Sequence, residues 1–322
     1  MIERYNSLFG NCKTINQVHQ LHITQENRLT PLELYDLYES IKKEQSSLLF
    51  RLKMLFVNNQ SKQIKQAGIV AMKKTFSLAE KSAKAKPEPF IRHHIHKNIQ
   101  MYSSGTSPQQ KTLVIAFAGK AMRLMMPIPC FLQHLSADKF DVLLFSDPNK
   151  HGFTRGIPGI ANNIENLIEK TSHLFNRTSY KSVVSYGTSG GGLPAILAAV
   201  QLQLDKGISI GGNGPSSPKW KALETFNPDK NLTTNDNTTP NLLCVYGANA
   251  EKDKLNTHDL EYYIPIKALS IHSTNGQKVR HNPLKTILTQ SKLSSFLHIA
   301  LDPTITGYNH EKEAIEHSEL WV

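Results

Sequence analysis

The sequence predicts an α/β protein: a mostly parallel sheet with helices on both faces, preceded by a helical N-terminal region. Two observations predict it. From residue 90 onward, short β-branched and apolar runs recur at 112–118, 142–145, 182–186, 208–210, 242–246 and 268–272. Helix-length segments at 158–175, 192–204 and 283–297 separate many of these runs. Strands that are apolar along their whole length are buried on both sides, which is the condition of a parallel sheet inside two helical layers. Before residue 90 the apolar spacing is instead three to four residues, the period of a helix with one buried stripe.

The first predicted helix covers 30–56. Thr30 suits the N-cap, Pro31 the first helical position, and Glu33 completes a capping box. Its stripe is Leu34, Leu37, Ile41, Leu48, Leu52 and Leu55. The second covers about 61–85, with Ile69, Met72, Phe76 and Ala79 on one stripe and Lys73, Lys74, Lys81 and Lys84 off it. Lys86-Pro87-Glu88-Pro89 stops it, because proline cannot continue a helix and restricts the residue before it. Residues 93–103 suggest an edge strand. The polar turn at 103–110 (SSGTSPQQ) places the boundary between an N-terminal helical region, 1–105, and a sheet domain, 106–322.

The 322 residues, 39% hydrophobic and 20% charged, fit a globular protein with one large core and an appended unit. No run of about 18 apolar residues suggests a membrane span, and no signal peptide is visible. Three scattered cysteines, Cys12, Cys130 and Cys244, argue against a disulfide framework and for a cytoplasmic protein, where the Asn-x-Thr triplets at Asn176, Asn231 and Asn237 carry no meaning. Cys130 and Cys244, set among apolar residues, read as small core side chains. The net charge of +11 is uneven. Residues 1–108 hold 16 basic against 8 acidic side chains, and most of the excess falls between Lys62 and Lys97. A polyanion such as an acidic glycan is one reading of that excess; a solvated helix face is the plainer one. No nucleic-acid-binding signature accompanies it.

Residues 181–200 read KSVVSYGTSGGGLPAILAAV. A predicted strand runs into Gly187-Thr188-Ser189-Gly190-Gly191, and a helix follows directly. A nucleophilic serine must project from a tight strand-to-helix turn, with small residues two positions to either side. The helix start then supplies free backbone N–H groups for a developing oxyanion. A phosphate-binding glycine turn is the competing reading, but neither G-K-[ST] nor an acidic residue at ribose distance accompanies it.

The segment resembles the nucleophile elbow of the α/β-hydrolase superfamily, and the likeness covers about 110–300. Within it, the stretches 116–127 (AFAGKAMRLMMP), Asp147-Pro148, 156–159 (GIPG), 187–191 (GTSGG) and His281-Asn282 resemble bacterial hydrolase-like domains encoded beside surface-polysaccharide enzymes. The resemblance implies the chain order serine, acid, histidine. The acid then belongs after the strand at 242–246, where the loop reads Ala248-Asn249-Ala250-Glu251-Lys252-Asp253. Asp253 is the candidate and Glu251 the alternative; Asp259 falls inside the next helix. The histidine belongs after the strand at 268–272, which points to His281, with His310 in competition and His272 read as a surface or packing residue. The oxyanion hole combines the N–H of Gly190 with that of Gly119 or Lys120. Phe153, Arg155 and the GIPG loop are either cleft wall or an ordinary turn.

His93, His94 and His96 invite a metal reading, but nothing nearby completes a ligand set, so no metal and no cofactor is expected. The reading is a serine hydrolase that cleaves a carboxylic ester through a Ser189–His281–Asp253 triad and an acyl-enzyme, acting on a small molecule or an acyl group on a bacterial glycan. An acyltransferase or thioesterase of the same fold remains open, as does a non-catalytic binding module in polysaccharide biosynthesis.

Overall fold

The computed structural model describes residues 7–27, 29–36, 39, 61–82, 87–233 and 240–305. They form two compact units, one of residues up to Phe90 with Pro127–Gln133, the other of Ile91–Met126 with the residues from His134 onward.

The first unit is helical. Helix α1 spans Ile15–Glu26 and α2 spans Lys62–Ser82. The capping box at Thr30 is formed: Glu33 N–H donates to Thr30 Oγ1 at 3.2 Å, and Thr30 N–H donates to Glu33 Oε2 at 2.7 Å. A helical stretch at 31–36 follows. Leu37, Ile41, Leu48, Leu52 and Leu55 of the predicted stripe lie outside the described residues. The stripe assigned to α2 is corrected at Ile69, its one member whose side chain is described. Ile69 is exposed, and the inward face carries Ile64 and Gly68. The reason is Gly68: a Cβ there would stand 2.5 Å from the Phe9 ring, so the bare glycine lets α2 close onto the small core of Phe9, Cys12, Val18 and Ile64. The side chains of Met72, Phe76 and Ala79 are outside the described set, as are those of Lys81 and Lys84.

The second unit is built on an eight-stranded sheet. Strands β1 (Ile91–His96) and β2 (Ile99–Ser103) form an antiparallel hairpin, turned at Lys97–Asn98, where the sequence suggested a single edge strand. Then come β3 (Thr112–Phe117), β4 (Phe140–Phe145), β5 (Ser182–Thr188), β6 (Lys206–Ile210), β7 (Asn241–Gly247) and β8 (Lys267–Ile271). The spatial order is β1-β2-β4-β3-β5-β6-β7-β8, with β3 to β8 parallel and β2 antiparallel to β4.

Helix α3 (Ile128–Leu132) belongs to the first unit. The second holds α4 (Ile164–Ser172), α5 (Gly192–Gln201), the short α6 (Pro218–Lys221) and α7 (Pro228–Asn231), α8 (Glu251–Glu261), α9 (Pro283–Thr289) and α10 (Leu293–Leu301). The expected helix at 283–297 is thus two, broken where Ser291 takes a positive φ of 60°.

Because side chains alternate along a strand, Leu113, Ile115 and Phe117 face one side of β3 and Val114 and Ala116 the other. All five are fully buried, so the sheet is covered on both faces. Leu113, Ile115 and Phe117 join α4 and α5 side chains in one core with Trp220 and Phe226. On β6 and β7 lie α9 and α10. The inner strands are continuous apolar runs for this reason. Some of the polar members are paired: Asp141 Oδ1 of β4 accepts from buried Lys111 Nζ at 2.8 Å, and the Thr112 and Ser182 hydroxyls lie 2.8 Å apart. The architecture is of the α/β-hydrolase type.

Candidate active site

The loops at the carboxyl ends of β3, β4 and β5 carry unusual backbone. Five of the seven non-glycine residues with positive φ among the described residues lie there: Met122, Met125, Lys150, Phe153 and Ser189. Non-glycine residues in that region are strained, and such strain persists only where the surroundings impose it. Ser189, at φ 52°, follows β5 directly and opens a single helical turn leading into α5.

The turn is possible because its flanking glycines have no side chain. A Cβ on Gly187 would stand 1.9 Å from the Gly191 carbonyl oxygen, and one on Gly191 would stand 2.1 Å from the Phe117 carbonyl oxygen. Both obstacles are backbone, so neither can yield cheaply. Gly192 continues the series against Ser209 and Gly212, which lets α5 begin directly over β6.

His281 approaches from the loop after β8. Its Nε2 lies 2.9 Å from Ser189 Oγ, and its Nδ1 lies 2.8 Å from Asp253 Oδ2 and 3.1 Å from Oδ1. With Nδ1–H donating to the carboxylate, Nε2 is left to accept the Ser189 hydroxyl proton. Asp253 is buried at 5% exposure, whereas the His281 side chain is 55% exposed. The hydrogen bond to Asp253 and the charge behind it raise the imidazole pKa above its ordinary value of 6.5, against the opposing pull of partial burial and of Lys252.

Asp253 is not in a loop. It occupies the first turn of α8, where its N–H donates to the Ala250 carbonyl at 2.9 Å. Glu251, two residues earlier, is exposed. Asp259 faces elsewhere, accepting from Ser216 N–H at 2.7 Å. His310 lies outside the described residues, and His272 is an exposed residue just past β8.

The loop bearing His281 is tied at two points. Asn249 makes a reciprocal pair with Val279, donating its N–H to the carbonyl at 2.8 Å and accepting the Val279 N–H on its side chain at 3.0 Å. Asn282 caps α9 through Lys285 N–H and donates its side-chain amide to the Met125 carbonyl at 2.9 Å. Gly247 and Gly211 clear the space beneath. A Cβ on Gly247 would stand 2.2 Å from the Arg280 carbonyl oxygen, and one on Gly211 would stand 3.1 Å from that of His281 and 3.2 Å from Asp253 Oδ2. None of these four positions was visible as a site residue in the sequence.

On the other side of Ser189, the loop after β3 folds over the elbow. The Gly119 N–H donates to the Arg123 carbonyl at 2.9 Å, and Thr188 Oγ1 donates to the same carbonyl at 3.2 Å. Gly119 is therefore removed from the pair of candidate oxyanion donors, because its only N–H is already engaged. Among the described residues the Lys120 N–H has no protein acceptor. Gly190 is the second residue of the helical turn, and its N–H is one that a helix start leaves without an internal acceptor. A Cβ on Gly190 would lie 3.9 Å from Lys120 N, so the two N–H groups border one space. The Lys120 side chain is exposed.

Phe153 is fully buried and stacks edge-on against Phe117 with centroids 5.4 Å apart, while Asp147 accepts the N–H groups of Asn149 and Phe153. The GIPG loop is a tight turn in which a Cβ on Gly156 would stand 2.3 Å from the Ala161 carbonyl oxygen. Among the described residues no group of three His, Cys, Asp or Glu side chains could hold a metal ion. His94 instead lies beside Gln100, with Nδ1 3.1 Å from Nε2. No described helix is long and apolar enough to cross a membrane.

No protein-family model matches the chain, and no curated protein matches it. Among solved structures it is similar to esterase B from Lactobacillus rhamnosis, at 12% identity and a TM-score of 0.46, covering 79% of this chain and 96% of that one. It is similar to a Pyrobaculum calidifontis esterase at 12% identity and a TM-score of 0.49, covering 81% and 99%. A 2,6-dihydroxy-pseudo-oxynicotine hydrolase shares 14% identity at a TM-score of 0.48, over 87% and 91%.

Proposed function

We propose that the protein is a serine hydrolase of carboxylic esters, with Ser189 as nucleophile, His281 as base and Asp253 as the residue that orients it. The observation that carries this reading is the unbroken chain from Ser189 Oγ through both nitrogens of His281 to a buried carboxylate, mounted on a left-handed elbow. His281 Nε2 takes the hydroxyl proton as Oγ bonds to the ester carbon. The carbonyl oxygen becomes an oxyanion that accepts from the N–H groups of Gly190 and Lys120, each such donor supporting roughly 10²–10³ in rate. Asp253 holds the Nδ1–H and stabilises the imidazolium. The imidazolium then gives its proton to the departing alcohol oxygen as the C–O bond breaks. Water, deprotonated by the same nitrogen, releases the acid and restores Ser189. The solvent exposure of His281 favours water as the acceptor over a sequestered alcohol. The resemblance of 116–127 and 156–159 to domains encoded beside polysaccharide enzymes supports a glycan hydroxyl as the leaving alcohol.

A fluorophosphonate probe tests the reading. The protein becomes labelled and Ser189→Ala does not, with esterase activity on p-nitrophenyl acetate falling by roughly four to six orders of magnitude. Undiminished labelling of Ser189→Ala would refute it.

A further inference from the structure

A recess of about 480 Å3 opens beside the loop that follows β4, lined by Arg155, Gly159, Asn162, Asn166 and Lys170 among others. Its chemistry is one-sided. The two ionisable residues lining it are cations, the two asparagines add amide donors, and no carboxylate lines it. The Arg155 side chain is exposed and, among the described residues, engages no hydrogen-bond or ion-pair partner. Lys170 Nζ is held at the recess by donating to the Ile160 carbonyl at 2.6 Å, which leaves two further N–H donors. Two acids flank the lining residues of α4 in sequence, Glu165 beside Asn166 and Glu169 beside Lys170; neither lines the recess, the Glu165 carboxylate oxygens are buried, and Glu169 Oε2 accepts weakly from Asn166 at 3.4 Å. From β1, His96 comes up behind the same wall. Its Nδ1 accepts the Asn98 N–H at 3.3 Å, which puts the proton of the neutral ring on Nε2, and Nε2 lies 3.4 Å from where a Cβ of Gly159 would stand.

The loop that forms one wall of the recess also passes the elbow. A Cβ on Gly152 would lie 3.0 Å from the Gly190 carbonyl oxygen, and Arg155 is three residues further along. At 3.8 Å between successive Cα atoms, the Arg155 Cα is within about 11 Å of that of Gly152. A guanidinium is a planar fork of N–H donors suited to paired oxygens, and an unpaired one beside a second cation favours an oxyanion.

We propose that this recess is an anion subsite, which takes a carboxylate or phosphate carried by the substrate about one sugar or more away from the ester carbonyl. The subsite rests on the hydrolase reading for its role and on the recess alone for its existence. It also moves recognition of an acidic substrate away from the basic stretch at 62–97 and onto the hydrolase unit itself.

Binding is measured by titration calorimetry on the Ser189→Ala protein, where no turnover intervenes, using trigalacturonic acid, glucose 6-phosphate and maltotriose. The proposal expects one or both anions to bind at least tenfold more tightly than neutral maltotriose, with the advantage shrinking as salt rises. Tighter trigalacturonate assigns a carboxylate, and tighter glucose 6-phosphate assigns a phosphate. Adding Arg155→Gln weakens the preferred anion by roughly five- to tenfold and Lys170→Gln by somewhat less, with maltotriose unaffected. Equal affinity for all three ligands, no binding of either anion, or anion binding indifferent to Arg155→Gln overturns the subsite. Loss of the hydrolase reading would show separately, as a wild-type protein that no fluorophosphonate labels.

Discussion

Replacing Ser189 with alanine and with glycine separates backbone strain from chemistry. Both variants lack the hydroxyl, so both lose the 2.9 Å hydrogen bond to His281 and both are inactive under the proposed mechanism. They differ in one respect. At φ 52° alanine keeps the left-handed penalty of an L-residue and glycine does not. That penalty is roughly 1–2 kcal/mol. Glycine gives back about 0.5–1 kcal/mol through its greater freedom in the unfolded chain. Glycine should therefore be the more stable variant by about 0.5–1 kcal/mol, the reverse of its rank inside a strand or helix. For a unit of this size the difference corresponds to roughly 1–4 °C in melting temperature. Differential scanning calorimetry of the two proteins in one buffer reads it directly. If alanine melts higher, Ser189 does not sit in a strained turn, and the account of the elbow given above is wrong.

The Asp253→Asn protein should keep its fold and lose roughly 10⁴ in kcat, because an amide can neither fix the tautomer nor stabilise the imidazolium. Glu251→Gln, altering an exposed side chain, should stay within about twofold of wild type in the same p-nitrophenyl acetate assay. The acid limb of kcat/KM should have its midpoint above 6.5, since Asp253 raises the His281 pKa, and Asp253→Asn should move any residual limb downward. For stability the same shift has one sign. The raised folded pKa favours the native state fully below the unfolded value near 6.5, and the benefit disappears as pH rises through the folded value. Urea midpoints of wild type and His281→Ala should therefore differ more at pH 5.5 than at pH 9. Gly191→Ala should lower stability by roughly 1–3 kcal/mol, as its Cβ would meet the Phe117 carbonyl oxygen, while Gly105→Ala, with nothing within 4 Å, should be neutral by the same melt.

How much of this was legible in the sequence follows from the range of the forces involved. The parallel strands declare themselves because burial on both faces leaves a run such as Leu113–Phe117 no polar position. The elbow declares itself because close backbone contact at Gly187 and Gly191 admits no side chain. The break at Ser291 and the turn at Lys97–Asn98 left no such mark, since their neighbours also suit a continuous element. The choice between Gly119 and Lys120 was beyond reach for a different reason. Which N–H is free depends on the Arg123 carbonyl turning back onto Gly119, and a carbonyl's direction has no signature in residue type. Likewise Ile69 fits a helical period, but the inward face of α2 is set by the Phe9 ring against Gly68, a partner more than fifty residues away. In the sequence the Arg155 loop read as either cleft wall or an ordinary turn, and the recess itself was not legible because its cations come from both the loop and α4.

The hydrogen bond from Ser189 to His281 spans 92 residues of chain, and β6, β7 and β8 all lie within that span. On the ribosome, domains fold as they emerge, N-terminal elements first. A nascent chain released through α8 carries Ser189, its flanking glycines and Asp253, but not His281, the base of the proposed mechanism. Ser189 is then an ordinary alcohol, a feeble nucleophile at neutral pH. Under the proposed mechanism the reactive centre is complete only when β8 has docked and the tie between Asn249 and Val279 has closed. In refolding of the full chain, labelling likewise waits for Ser189, His281 and Asp253 to be brought together. Far-ultraviolet ellipticity should recover first and probe labelling last, so that reactivity reports the completed sheet and not its beginnings.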